Sequence, residues 1–539
     1  MTAPASGVKY YFKEQLAYTE DHVLVKNLFL TNIKESLNKQ QLQDHFEMFG
    51  CIEKLHLFSI NNRTRNGYVI FKNPRHAAEA LERKFQYVKR CRITVQPCYT
   101  WHQPDAEKLP DKPDNVNSNE KNSDIMKLND YCLEHIFREL SDQSDRIQFA
   151  RTCYRFRYIY EEMSPMLDKS IDFEIFEEMT AWKVRDFFKL SGRNVMQIEG
   201  NIPEQHCDIV CKYLGKHCTN LQSLMIIGNI ISSLKMFANL NSLQNLRLFR
   251  CNLRNDDLQA IEHLNQLKKL DLSGNRMMTV KSLNYLPQSI ESLTLDECEM
   301  RRHPELLLKI FGKLPQLKEL YIESFVLESP CFERLINEKY CESLETLSIT
   351  CTDYEIDDYY HIARLPSLRK LKLFMPDFEN EIPPMLMKWL VKHKSKQLEH
   401  FQIDALYGNN INAEILFEIG KLSALRTLIL PLNNTITDSG LEALFNLQDL
   451  TEIDINQYSK ITDNGVLRLI LACPKLQVLN LKNCLQLTNK FIHDIIFHLQ
   501  DNQNNRPLPI KLSMVGTKVN KLILLNADVA DRNIINVVY

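Results

Sequence analysis

Residues 473–484 read CPKLQVLNLKNC, with Leu476, Leu479 and Leu481 at the first, fourth and sixth places of an apolar hexad. The same apolar-x-x-apolar-x-apolar pattern starts at Leu221, Leu243, Leu267, Ile290, Leu317, Leu344, Leu368, Leu398, Leu425 and Leu450, so it occurs eleven times at intervals of 22 to 30 residues. Side chains alternate across a strand, so the fourth and sixth positions share one face and the positions around them share the other. A unit this short buries its apolar side only against its neighbours. Stacked copies make one continuous core and leave a long sheet facing outward as a binding surface.

The pattern resembles the leucine-rich repeat. That resemblance implies a parallel α/β solenoid, a horseshoe, over residues 195–520, with Val195 and Ile198 opening an irregular first copy and 521–539 as a tail. The late copies carry ITDNGV at 461–466 and LTN at 487–489, and look like the cysteine-containing subclass found in F-box proteins. Cys473 and Cys484 are then small buried residues, not ligands. Met225, Arg247, Phe249, Tyr321, Phe374 and His400 fall at outward positions and are the candidates for holding a protein substrate. The outward positions mix both charges with a few aromatic anchors, which suits a protein better than a nucleic acid. A charged position taken singly is ordinarily solvated surface.

Composition bounds the rest. With 539 residues the chain has room for three or more units, and 44% hydrophobic with 25% charged is a globular balance. The net charge of −2 argues against a strongly cationic scaffold, yet residues 1–101 hold 15 Lys and Arg against 9 Asp and Glu. That segment is expected to face a polyanion. No apolar run reaches the roughly 18 residues of a membrane span, and the opening MTAPASGVKYYFKEQ has no long apolar run of a signal peptide. Fifteen dispersed cysteines read as reduced thiols of the cytoplasm or nucleus. The densest group, Cys207, Cys211 and Cys218 beside His206 and His217, has a spacing that fits no common zinc knuckle, and Ile209, Val210, Tyr213 and Leu214 make it an amphipathic repeat helix. No phosphate-binding glycine loop, nucleophile elbow or metalloprotease motif is found, and Gly is scarce at 14 residues. No cofactor, metal or catalytic residue is expected.

Residues 22–101 alternate strand and helix patterns in the order strand-helix-strand-strand-helix-strand, a ferredoxin-like α+β sandwich with one open sheet face. Leu28-Phe29-Leu30-Thr31-Asn32-Ile33 and Thr64-Arg65-Asn66-Gly67-Tyr68-Val69-Ile70-Phe71 resemble the two ribonucleoprotein signatures of an RNA recognition motif. Alternation turns Leu28, Leu30, Val69 and Phe71 inward and Phe29, Asn66, Tyr68 and Ile70 outward. The resemblance implies stacking of single-stranded RNA on Phe29 and Tyr68, with Asn66 at a third position usually aromatic and with Arg63 and Arg65 bringing charge to that edge. A protein-binding member of the same fold is the other reading.

Residues 102–124 are polar and Pro-dotted, the composition of a flexible linker. After them, Leu133, Ile136, Phe137 and Leu140 fall at helical spacing, and Ile147, Ala150, Cys153 and Phe156 follow a polar break. About forty residues of short helices cannot bury all of this internally. Residues 125–165 resemble an F-box. Leu128, Leu133, Ile136, Phe137 and Leu140 match its first helix, although Asn129 stands where the family's Pro is usual and Phe156 where Trp is frequent. Asp130 is available to cap the helix. A helical connector, 166–194, leads to the repeats.

The resemblance implies the substrate-recognition subunit of an SCF-type ubiquitin ligase. Leu128, Leu133, Ile136, Phe137, Leu140 and Ile147 would serve the SCF adaptor, which bridges to a cullin scaffold, and the repeats would hold the protein substrate. The alternative is an RNA-associated scaffold whose F-box-like helices only cap the repeats.

Overall fold

The computed structural model describes residues 9–538 except 20–22, 60–63, 99, 106–123, 229–233, 299–305, 324–330, 351–355, 376–381, 406–410, 431–432, 501–505 and 521–533. Two compact units divide the chain, Met1–Leu243 and Gln244–Tyr539.

The first unit opens with a hairpin, β1 (Tyr10–Lys13) and β2 (Leu16–Thr19), where the sequence predicted only a leader. Then come β3 (Asn27–Lys34), α1 (Lys39–Glu47), β4 (Ile52–Ser59), β5 (Thr64–Phe71), α2 (Pro74–Leu81), β6 (Phe85–Val88) and β7 (Cys91–Pro97). Five of these strands form an antiparallel sheet in the order β4-β5-β3-β7-β6. The two inner strands are the expected ones. Leu28, Leu30, Val69 and Phe71 point into a core with Leu42, Phe46, Ala77, Leu81, Ile93 and Val95. The helices start where chemistry dictates: Asn38 makes a capping box with Gln41, and Asn73 caps α2 with Pro74 in its first turn. The hairpin lies against α2 and adds Ala17 to the core.

Three helices follow: α3 (Asp130–Glu139), α4 (Gln143–Ala150) and α5 (Tyr154–Leu167). Leu133, Phe137, Ile147, Ala150, Phe156 and Tyr160 make their core. The Phe149 ring stands 4.9 Å from Phe137 and 4.4 Å from Phe156. The α3 cap is Asn129, whose Oδ1 accepts from Cys132 N at 2.9 Å, rather than Asp130. A residue in the first turn cannot cap that turn from within, so Asp130 instead pairs with Arg155 at 2.6 Å. The connector forms α6 (Ala181–Ser191), and α7 (Cys207–His217) is the predicted amphipathic helix. Strands Ser170–Asp172, Gln197–Glu199 and Ser223–Ile227 run parallel, so repeat-like pairing begins inside the predicted connector.

The second unit holds twelve described strands, from Asn245–Phe249 to Ile535–Val538, each pairing in parallel with the next. Hexad residues from Leu267 to Leu481 are fully buried or nearly so. The array does not end at residue 520 as expected: Ile535–Val538 pairs with Ile510–Ser513, giving the tail a strand. Among the described residues no helix is long and apolar enough to cross a membrane.

Candidate functional site

Three surfaces present the sequence-predicted residues. On the antiparallel sheet, cross-strand pairs place Phe29 between Tyr68 and Gln96 and set His56 beside Tyr68. Tyr68 is half-buried, its ring 5.4 Å from His56 and 5.9 Å from Lys54 Nζ. Phe29 faces outward as expected but is only 2% exposed, and Asn66 only 5%. The residues after β7 fold back onto the start of β3. Gln103 Oε1 accepts from Lys26 N and Asn27 N, both at 2.8 Å, and its Nε2 donates to the Asn27 and Cys98 carbonyls. Asn27 Nδ2 donates to His102 O at 2.9 Å, and Asp105 pairs with Lys26 at 2.5 Å.

This corrects two expectations. The linker does not begin at residue 102: a buried amide with four backbone partners fixes the chain through Asp105, and the remainder, 106–123, lies outside the described residues. Arg65 is no free edge charge either. It sits on the side of β5 opposite Tyr68, and its guanidinium donates to the Glu35 and Leu37 carbonyls. Arg63 lies outside the described residues.

The sheet module also rests on the connector. Val23 packs with Trp182, and the 3-10 turn Thr100–His102 contacts α6. Burial pushes the His102 pKa down to about 4 against the opposing pull of Asp208, so this imidazole is neutral at physiological pH.

Around α3 and α4, the six adaptor candidates divide. Leu133, Phe137 and Ile147 are fully buried and build the three-helix core. Leu128 is exposed, while Ile136 and Leu140 are half-buried. Sequence patterning missed Tyr131, 77% exposed one turn before His135, together with exposed Tyr158 and Met166. Arg155 fixes the entry to α3 by donating to the Met126 and Leu128 carbonyls at 2.9 and 2.6 Å. Behind this surface, the fully buried Asp168 accepts from Tyr160 Oη and Ser191 Oγ at 2.6 Å each and from Gln143 Nε2 at 3.1 Å. That network ties α4, α5 and α6 together. No spacing rule would have found it, because its members lie up to 48 residues apart.

On the parallel sheet, Met225, Phe249, Tyr321, Phe374 and His400 are half-buried and Arg247 is exposed, all on the outward face. Phe249 lies under two guanidinium groups, Arg247 at 5.4 Å and Arg250 at 4.8 Å. Arg247 pairs with Asp271 and Arg250 with Glu297. A second cluster centres on Lys372, which bonds Asp404 at 2.6 Å and Glu323 at 2.9 Å. Burial works to lower the Lys372 pKa, but the two carboxylates prevail and raise it, so the ammonium stays charged. Ser348 Oγ donates to Glu323, Gln402 Nε2 to Asp404, and His400 meets Gln402 at 3.3 Å. Burial lowers the His400 pKa, which keeps that ring neutral. Cys473 and Cys484 are fully buried, with Sγ on the Leu444 and Ile455 carbonyls, and burial pushes Cys484 up to about 11. Among the described residues, no group of three or more His, Cys, Asp or Glu is arranged to hold a metal.

Comparisons with known proteins agree with two of these three modules. Residues 28–94 match the RNA recognition motif family and residues 205–403 match a leucine-rich repeat region. Residues 125–165 fall outside both matches. No curated protein matches the chain. Among solved structures, the chain is similar to an internalin from Listeria monocytogenes, at 18% identity over 61% of this chain and 83% of that one, with a TM-score of 0.32. It is similar to a structure of the Rad7 and Elc1 complex in yeast, at 15% identity over 74% and 95% respectively, with a TM-score of 0.43. The RRM3 domain of Mip6 is 20% identical over 14% of this chain and 94% of its own, with a TM-score of 0.13. The chain thus contains an RNA recognition motif and a leucine-rich repeat region.

Proposed function

We propose that the chain is the substrate-recognition subunit of an SCF-type ubiquitin ligase that also carries an RNA-binding module. The observation that carries this reading is the α3–α5 surface. A three-helix unit that buries Leu133, Phe137 and Ile147 leaves Tyr131 and Leu128 in solvent, with Ile136 and Leu140 half-covered beside them. Exposed aromatic and aliphatic side chains clustered at one helix are the anchors of a protein interface. The adaptor would dock there and link to the cullin scaffold. The outward face of the repeats, with Phe249 between arginines and the Lys372 cluster, would hold a protein substrate.

The chain does no covalent chemistry in this reading. It raises the local concentration of a substrate lysine near the conjugating enzyme, an effect of proximity. Its reduced thiols fit the cytoplasm or nucleus. The Asp168 network favours a second reading, an RNA-associated scaffold in which α3–α5 only cap the repeats. Recovery of the SCF adaptor with the full chain separates the two. Leu128→Asp with Tyr131→Asp changes exposed positions only, so the fold should persist while adaptor recovery falls at least tenfold. Equal recovery by the folded variant refutes the adaptor surface.

A further inference from the structure

The sheet of the RNA recognition motif extends past its buried centre. Strands β6 and β7 form a hairpin at the sheet's edge, with Phe85 opposite Thr94 and Tyr87 opposite Arg92. Thr94 in turn lies opposite Thr31 on β3, and Gln96 opposite Phe29. Directly opposed residues share a face. Phe85, Tyr87 and Arg92 therefore lie on the same outward face as Phe29 and Tyr68. The two outward rings are open to solvent, 41% for Phe85 and 65% for Tyr87, whereas the alternate residues Gln86 and Val88 are buried. Arg92 stacks on Phe85 with its guanidinium carbon 3.6 Å from the ring centroid.

The charge here is one-sided. Residues 83–92 read RKFQYVKRCR, five cations and no carboxylate in ten residues, with Glu82 just before them. Arg83, Lys84, Lys89, Arg90 and Arg92 are all exposed, and none forms an ion pair among the described residues. Five like charges left unneutralised around two exposed rings are poorly suited to an apolar protein partner, but they match a flexible polyanion whose bases stack. Phe29, by contrast, offers almost no surface to a base.

We propose that single-stranded RNA binds on the Phe85–Tyr87–Arg92 hairpin, with bases on the rings and Arg92 and phosphates on the flanking cations, instead of on Phe29. The inference rests on the RNA-binding reading above and assigns its surface. The test uses the full chain and a labelled oligouridine of about ten nucleotides, longer than the two or three bases such a sheet stacks, followed by fluorescence anisotropy at two salt concentrations. Phe85→Ala with Tyr87→Ala should weaken binding by tenfold or more with an unchanged melting temperature. Lys89→Gln with Arg90→Gln should lower the slope of log affinity against log salt by about 1.4, the value for two lost phosphate contacts on a single strand. Tyr68→Ala should have the smaller effect. Wild-type affinity in both hairpin variants, with loss in Tyr68→Ala, overturns the hairpin surface while RNA binding stands. No binding by the wild type at low salt overturns the RNA reading and the hairpin with it.

Discussion

Asp168 shows how much a single buried carboxylate organises. It is fully buried with three donors around it, yet burial outweighs those hydrogen bonds and raises its pKa. The folded state therefore holds the proton more tightly than the unfolded chain does. The associated stability is complete below about pH 4, the unfolded value, and is lost as pH rises through the folded one. Asp168→Asn removes this dependence, so the wild-type minus variant unfolding free energy should fall as pH climbs above about 4. Chemical denaturation at a series of pH values measures it, and a flat difference would count against the argument. Phe29 gives a second residue-scale expectation. At 2% exposure it is packed like core, so Phe29→Ala should cost about 3–5 kcal/mol in a melt. Tyr68→Ala, at a half-buried position, should cost clearly less.

At the scale of elements, an Asp in one repeat caps the next. Asp438 accepts from Thr462 N at 2.7 Å and Thr462 Oγ1 at 2.6 Å, and Asp463 does the same for Thr488 N at 2.8 Å. Asp438→Ala orphans the entry to the helix Asp463–Ala472 and should cost about 1–2 kcal/mol in urea unfolding. The same pairs show what the sequence made legible. The hexads were readable because each needs only its own period, and the strands of the RNA recognition motif because alternation is local. The capping role of ITD and the buried Asn275, which donates to Leu272 O in its own repeat and to Leu248 O in the one before, were not readable, because in each case a partner lies in another repeat. Phe29 was placed on the correct face but with the wrong exposure, since period sets direction and only tertiary packing sets what lies above it. Leu133 and Phe137 show the converse: helical spacing marked them as apolar, but only the packed helices assigned them to the core and left Tyr131 as the exposed member.

For the whole molecule, the RNA recognition motif, α3–α5 and the first parallel strands belong to one unit, residues 1–243. Val23 on Trp182 and the turn of the neutral His102 against α6 replace the free tether that linker composition suggested. In the proposed reading, RNA bound by this module would be held on the same unit as the adaptor surface, and proteins on the same transcript would gain effective concentration there. Deleting residues 1–105 should preserve adaptor recovery, because α3–α5 have their own core. It should also lower the melting temperature by a few degrees, because Trp182 loses its cover. Ubiquitination of an RNA-associated substrate should drop, and nuclease treatment of the intact chain should reproduce that drop without the thermal shift. The two treatments separate the roles: a deletion that slows ubiquitination when nuclease does not points to lost packing on α6, and unchanged ubiquitination after both refutes presentation on RNA.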